Sequence, residues 1–213
     1  MNRWFDNLPV IGKKVPGKIT LSFLMLVYAI VLFVVIKSKD RAICVLAMIF
    51  SFVGDVSLNH NPDHSKQTNK DFIVGGISFI VAHVFYCVAY NTKIKVLGYT
   101  VFNPGAKFAL IILLLITIMV ILWNLTKEIY FTNKLFNFGL LYLWMTGINY
   151  ITIFSYSYSV KGIQSIAAIG GLMFLASDII IGLEKFFKLK SKLARELVWW
   201  LYPLGQIILI TMA

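Results

Sequence analysis

Two aspartates stand inside long apolar stretches of this 213-residue chain. Asp55 lies in the apolar stretch 42–58 and Asp178 in the apolar stretch 163–183. An acidic side chain is costly in such surroundings and by default marks a functional site. Two carboxylates in a partly dry site do not readily carry charge together, so one holds a proton while the other is ionised. We therefore take the two aspartates as a candidate pair for general acid and base catalysis.

Three further stretches place polar and aromatic side chains at helical spacing. They contain Gly76, Phe79, His83, Tyr86 and Tyr90; Tyr142, Met145, Asn149, Thr152 and Tyr156; and Arg195, Trp199, Tyr202 and Gln206. We expect these stripes to face one another around a polar cleft that includes the aspartates. The candidates for substrate binding are His83, Tyr86, Asn149, Ser177, Tyr202 and Gln206.

The composition explains which elements must carry these side chains. Hydrophobic residues make up 59% of the chain and charged residues 14%, against about one half and about one quarter in soluble domains. Seven apolar segments approach the ~20 residues of a membrane-spanning helix. They are Ile19–Ile36, Ala42–Leu58, Phe72–Tyr90, Ala106–Trp123, Leu135–Phe154, Ile163–Leu183 and Leu197–Met212. We predict an all-α bundle of about seven transmembrane helices, forming one domain over residues 1–213 with a cytoplasmic or interfacial segment at 1–18.

The formal net charge of +11 indicates membrane topology and anionic lipid, and not nucleic acid, because Lys and Arg sit at the ends of the apolar runs. Most of them fall in the N-terminal segment and after the second, fourth and sixth helices. This bias predicts a cytoplasmic N-terminus, and the Lys-, Ile- and Asn-rich composition favours a bacterial plasma membrane. Lys13, Lys14 and Lys18 then share the side of the aspartates. They are either ordinary anchors or partners for a substrate phosphate.

Three chemistries compete at this stage. An intramembrane aspartyl protease fits poorly, because Phe52 stands where its signature before the Gly-Asp at 54–55 has glycine. A metal-dependent hydrolase is weak because Pro62 separates His60 from His64, so the two do not share a helix face. A proton-coupled transporter suits membrane-embedded acids, but the chain has no clear inverted repeat. We predict no metal and no organic cofactor.

Several short motifs follow one another along the chain. They are Ser51-Phe52-Val53-Gly54-Asp55; Phe72, Gly75, Phe79, His83 and Tyr86; Gly171, Phe174, Ser177 and Asp178; and Tyr202 with Gln206, after an early Lys13-Lys14-Val15-Pro16. Together they resemble the YhhN family of membrane proteins, which includes the lysoplasmalogenases. The chain departs from the family in two ways. The first of its usual eight helices is absent or reduced to Met1–Gly12, and Pro203 follows Tyr202.

The resemblance implies hydrolysis of the vinyl ether bond of a lysoplasmalogen, which gives a fatty aldehyde and a glycerophospho-choline or -ethanolamine. The residues suit this chemistry. One aspartate would protonate carbon, and the other would stabilise the resulting oxocarbenium ion and activate water, as carboxylates do in glycosidases. The implied partners are a lysophospholipid substrate and membrane lipid. The alternative is a non-enzymatic protein that binds or transports lysolipids on the same scaffold.

Overall fold

The computed structural model describes residues 16–58, 68–126, 134–160, 162–187 and 191–213. Over these residues it contains seven long helices, each long and apolar enough to cross a membrane. They are α1 (Pro16–Ile36), α2 (Lys39–Leu58), α3 (Asn69–Val96), α4 (Pro104–Thr126), α5 (Lys134–Ser159), α6 (Ala167–Phe187) and α7 (Lys192–Met212). The prediction of an all-α, seven-helix integral membrane protein is confirmed. Residues 1–15, which include most of the predicted N-terminal segment, lie outside the described residues.

The predicted helix ends were too short at several places, because apolarity reports the hydrocarbon core and not the whole helix. Helix α3 runs to Val96 and α5 to Ser159, while α7 already begins at Lys192. The opposite error occurs before α6, where residues 162–166 form a 3-10 turn. Gly162 opens this turn with a φ of 84°, a left-handed conformation that glycine adopts without steric cost.

Two helix starts are fixed by side-chain caps. Thr68 precedes α3, and its Oγ1 accepts a hydrogen bond from the Asp71 backbone N–H at 3.1 Å. Asn103 precedes α4, where its Oδ1 accepts from the Ala106 N–H at 2.9 Å. The Asn103 amide also donates to the Ser155 carbonyl at 2.8 Å. Asn103 therefore also links the start of α4 to the end of α5.

Six of the helices form a closed ring. Each packs against two neighbours in the order α1, α2, α3, α5, α6 and α7, and α7 returns to α1. Helix α4 lies outside the ring, against α5. We call the end of the bundle where α1, α3, α5 and α7 begin, and where α2, α4 and α6 end, the aspartate end. The ring directs side chains from six helices into one interior, which is where the polar stripes meet.

Helices α6 and α7 approach each other most closely at two glycines. A Cβ added to Gly205 would lie 2.8 Å from the Gly170 carbonyl oxygen and 3.0 Å from the Phe174 backbone nitrogen. These are backbone atoms, so no side chain can move to make room. The contact fixes α7 against α6 one turn from Tyr202, next to Pro203, through which α7 continues.

Gly205→Ala is therefore expected to destabilise the protein by about 1–3 kcal/mol, the usual cost of overpacking. Gly182→Ala is the matched control on α6, because a Cβ there meets no atom within 4 Å. Alanine should stabilise that helical position by up to about 1 kcal/mol. Thermal unfolding in detergent would measure both variants. Equal midpoints for the two variants would contradict the close packing of α6 on α7.

Candidate active site

Asp55 lies in the last turn of α2 and is 1% exposed. Its Oδ2 accepts hydrogen bonds from the Ser22 hydroxyl of α1 and the Tyr202 hydroxyl of α7, both at 2.6 Å. Two short bonds from neutral donors to one oxygen suit an ionised carboxylate. Three helices of the ring therefore converge on this side chain.

A chain of hydrogen bonds runs from Asp55 deeper into the bundle. The Gln206 amide donates to the Tyr202 oxygen at 3.4 Å and to the Ser51 oxygen at 3.1 Å. The Tyr86 hydroxyl in turn donates to the Gln206 Oε1. Since all these side chains are buried, the network fixes the orientation of the Tyr202 hydroxyl toward the carboxylate.

Asp178 has a separate set of partners. The His83 Nε2 lies 3.3 Å from its Oδ2, and the Tyr142 hydroxyl is within hydrogen-bonding reach. The Asn149 amide nitrogen lies 3.0 Å from the His83 Nδ1. Because an amide N–H can only donate, Nδ1 accepts and the imidazole proton stands on Nε2, which donates to Asp178. Asn149 thus fixes the His83 tautomer whose N–H points at Asp178.

Aromatic rings separate the two carboxylate groups. The Phe174 ring centroid lies 4.7 Å from that of His83 and 5.5 Å from that of Tyr202. Phe79 packs edge-on to both Phe174 and Tyr202. The carboxylates form no direct hydrogen bond, but they are near enough to interact electrostatically. The interior therefore holds two separately oriented acids on either side of an apolar partition.

Lys18 interacts electrostatically with both aspartates. It is half-buried in the first turns of α1, and its Nζ lies 6.0 Å from the centre of the Tyr202 ring. Its charge acts on Asp55 and also on Asp178. The ammonium group of Lys18 thus favours negative charge at the site, whether on a carboxylate or on a bound anion.

A cavity of about 120 Å³ opens beside Asp178. Side chains of α3, α5 and α6 form most of its wall, α4 closes its outer side, and Leu58 of α2 contributes at the aspartate end. Asp178, Tyr142 and Thr146 are its polar lining residues, and the remainder are apolar or glycine. Asp55 does not line it. One of the two acids therefore faces an apolar chamber, and the other faces Lys18.

The comparison with known proteins agrees with the resemblance in the motifs. The model of the YhhN family matches residues 17–213. The chain belongs to the YhhN family. The curated proteins and the solved structures that were searched gave no match. The Lys13–Pro16 element lies just outside the matched range, whereas the other four motifs, two of which contain the aspartates, lie within it.

The YhhN chain brings most of the predicted site residues together. Asp55, Tyr86, Tyr202 and Gln206 join one network, and Asp178, His83 and Asn149 join the other. Ser177 differs, because its hydroxyl donates to the Phe174 carbonyl of its own helix. Lys14 lies outside the described residues. The catalytic and substrate-binding roles of all these residues stay predictions.

Two residues of this YhhN site escaped the sequence analysis. Ser22 bonds Asp55, and Tyr142 was placed in a stripe but not paired with Asp178. One signal for Ser22 was available, since it follows Lys18 by one helical turn and so shares its face of α1. Among the described residues no group of three or more His, Cys, Asp or Glu side chains could hold a metal ion. His60 and His64 lie outside the described residues.

Proposed function

We propose that this YhhN protein is a membrane-embedded, lysoplasmalogenase-like hydrolase. It would cleave the vinyl ether bond of a lysoplasmalogen with Asp55 and Asp178 as its acid and base pair. The observation that carries the proposal is the arrangement of two separately hydrogen-bonded carboxylates. Asp55 is buried, and Asp178, whose side chain is 7% exposed, faces an apolar cavity. Family membership supports it independently.

The position of each acid suggests a division of labour. Protonation must occur on the vinyl carbon that does not carry the ether oxygen, which is the one nearer the hydrocarbon tail. The apolar cavity that suits this tail lies beside Asp178. Asp178 is therefore our proton donor, with His83 and Tyr142 holding its carboxyl in place. Proton transfer to carbon breaks the C=C π bond and gives an oxocarbenium ion, which an anionic group stabilises.

Asp55 is our ionised partner. Its two hydrogen bonds at 2.6 Å and the nearby charge of Lys18 offset part of the cost of burying a carboxylate charge. It would stabilise the cation and take a proton from the attacking water. The water oxygen bonds to the carbon that carries the ether oxygen and gives a hemiacetal. In its collapse the hemiacetal hydroxyl returns a proton to Asp178, the bond between this carbon and the glycerol oxygen breaks, and the glycerol oxygen takes the proton held by Asp55. That oxygen remains in the glycerophospho-base.

The head group fits the aspartate end. Lys18 could pair with the substrate phosphate, and Lys14 belongs to the same segment of the sequence. With the N-terminus in the cytoplasm, as the distribution of positive charge predicts, this end faces the cytoplasm. A bacterial plasma membrane remains our proposed location.

Aldehyde release by the purified protein in nanodiscs tests the proposal. Lysoplasmalogen should give one aldehyde for each glycerophospho-base, while the saturated 1-O-alkyl analogue should give none because it has no vinyl ether. Heat-unfolded protein is the blank. If the folded protein binds the analogue but releases no aldehyde from lysoplasmalogen, the chain is a lysolipid-binding or transport protein and the proposed hydrolysis is wrong.

A further inference from the structure

The cavity beside Asp178 is elongated along α6. Its α6 wall runs from Leu175 to Phe186, a distance of roughly 16 Å at about 1.5 Å per residue. Asp178 stands near the inner end of this wall. From there to the aspartate end the wall is apolar, and aromatic rings of Phe72, Phe136 and Phe186 line the last part. A narrow apolar channel thus starts at a carboxylate.

The cavity volume limits what can occupy this channel. About 120 Å³ is well below the roughly 300–1,000 Å³ of sites for drug-sized ligands. One hydrocarbon chain suits this volume better than two chains side by side. The carboxylate at the inner end further favours an amphiphile whose polar part begins next to Asp178.

The glycines in the wall show where the channel has free width. Gly76 and Gly139 are packed, since an added Cβ would lie 2.7 Å from the Phe138 ring and 2.5 Å from the Phe186 ring. Gly182 also lines the cavity, but a Cβ there would meet no atom within 4 Å. Glycine within a helix costs about 0.5–1 kcal/mol relative to alanine. Packing against the protein therefore does not explain Gly182, and open space for an occupant does.

We propose that this channel is the binding site for the single hydrocarbon chain of the lysolipid, with Gly182 setting its width one helical turn beyond Asp178. The inference rests on the proposed function for the identity of the lipid. It adds a chain-length-dependent binding site formed by α3, α5, α6 and the outer helix α4. The lipid would be bent beside Asp178: its chain runs from there toward the aspartate end, and its polar end turns past Phe79 toward Lys18.

Binding of saturated 1-O-alkyl lysophosphocholines tests this site without any hydrolysis. Hexyl, decyl and octadecyl forms would be titrated into the protein in nanodiscs, since the roughly 12 Å from Asp178 to Phe186 suits about ten carbons. Relative to protein-free nanodiscs, the wild-type affinity should rise from hexyl to decyl and then level off, because each methylene inside the channel adds van der Waals contacts with its wall. In Gly182→Leu this rise should be lost, so that affinity for the decyl and octadecyl lipids falls at least tenfold while the hexyl lipid changes least.

Two further variants keep the test decisive. Val120→Trp narrows the channel from α4 and should reproduce the loss even if Gly182→Leu fails to fold. Leu172→Trp also adds a large side chain to α6, at an outward position that is 52% exposed, and it should bind as wild type does. The inference is overturned if both channel variants bind the octadecyl lipid as wild type does, or if a diacyl phospholipid competes equally well.

The two proposals fail in different ways. Chain-length-dependent binding without aldehyde release would leave the channel in place and remove the hydrolysis. Aldehyde release that is unaffected by Gly182→Leu and Val120→Trp, together with unchanged binding, would leave the hydrolysis in place and remove the channel.

Discussion

Asp178→Asn is expected to slow aldehyde release from lysoplasmalogen by about 10²–10⁴-fold, the range that a positioned general acid contributes. Asparagine has nearly the same shape and can still accept a hydrogen bond from the His83 Nε2 through its carbonyl oxygen. It cannot supply the proton. The steady-state rate at saturating substrate would measure the loss, because the defect lies in the chemical step and not in binding.

Two measurements separate this effect from a structural one. The Asp178→Asn protein should bind the 1-O-alkyl lipid within about twofold of wild type, which is a difference of about 0.4 kcal/mol in binding free energy. Thr117→Val is the control, because the Thr117 hydroxyl is buried but donates to the Leu113 carbonyl of its own helix, outside the cavity wall. It should keep near-normal turnover. A fully active Asp178→Asn protein would remove Asp178 from the mechanism.

Asp55→Asn is expected to lower turnover by about 10²–10³-fold, the usual effect of losing one electrostatic contact with a transition state. The amide oxygen can still accept from Ser22 and Tyr202, so the network around it should persist. The negative charge that faces the cation is lost. Because a buried charge is costly to the fold, the melting temperature should be equal to or higher than that of wild type.

Ser22→Ala, with Ser78→Ala as its control, tests the role of Asp55 further. Ser22→Ala removes one of the two hydrogen bonds to Asp55 and should reduce turnover by about tenfold or more, because a hydrogen bond to a charged group contributes roughly 1.5–3 kcal/mol. Ser78 is also buried, but its hydroxyl donates to the Val74 carbonyl within α3. Its variant should be active. If Ser78→Ala loses as much activity as Ser22→Ala, the loss reflects general loosening of the bundle and not the Asp55 contact.

The number of helices could be predicted from the sequence because bilayer thickness sets the length of an apolar run. The helix ends could not. The last turns of α3 carry polar residues that still form helix, and Lys93 there donates to the Met212 carbonyl at 2.9 Å. Such a side chain crosses to another helix, so its stabilisation depends on the arrangement of the ring. A prediction from apolarity alone therefore ends α3 too early.

The candidate active site was also only partly predictable from the sequence. Helical spacing alone placed His83 with Tyr86, and Tyr202 with Gln206, on common faces. The pairing of faces was beyond the sequence, because it depends on α1 packing against α7 to close the ring. Ser22 illustrates this limit. A single serine in an apolar helix is a common packing residue, and only the closed ring brings its hydroxyl to Asp55.

Isotope labelling of the two products tests the proposed hydrolysis most directly. Turnover of lysoplasmalogen in D₂O, with the aldehyde trapped at once by reduction, should place one deuterium on the carbon next to the aldehyde carbon. Turnover in H₂¹⁸O should leave the glycerophospho-base free of ¹⁸O, because water attacks the chain side of the ether. An aldehyde without deuterium, or ¹⁸O in the glycerophospho-base, would contradict carbon protonation by the aspartate pair.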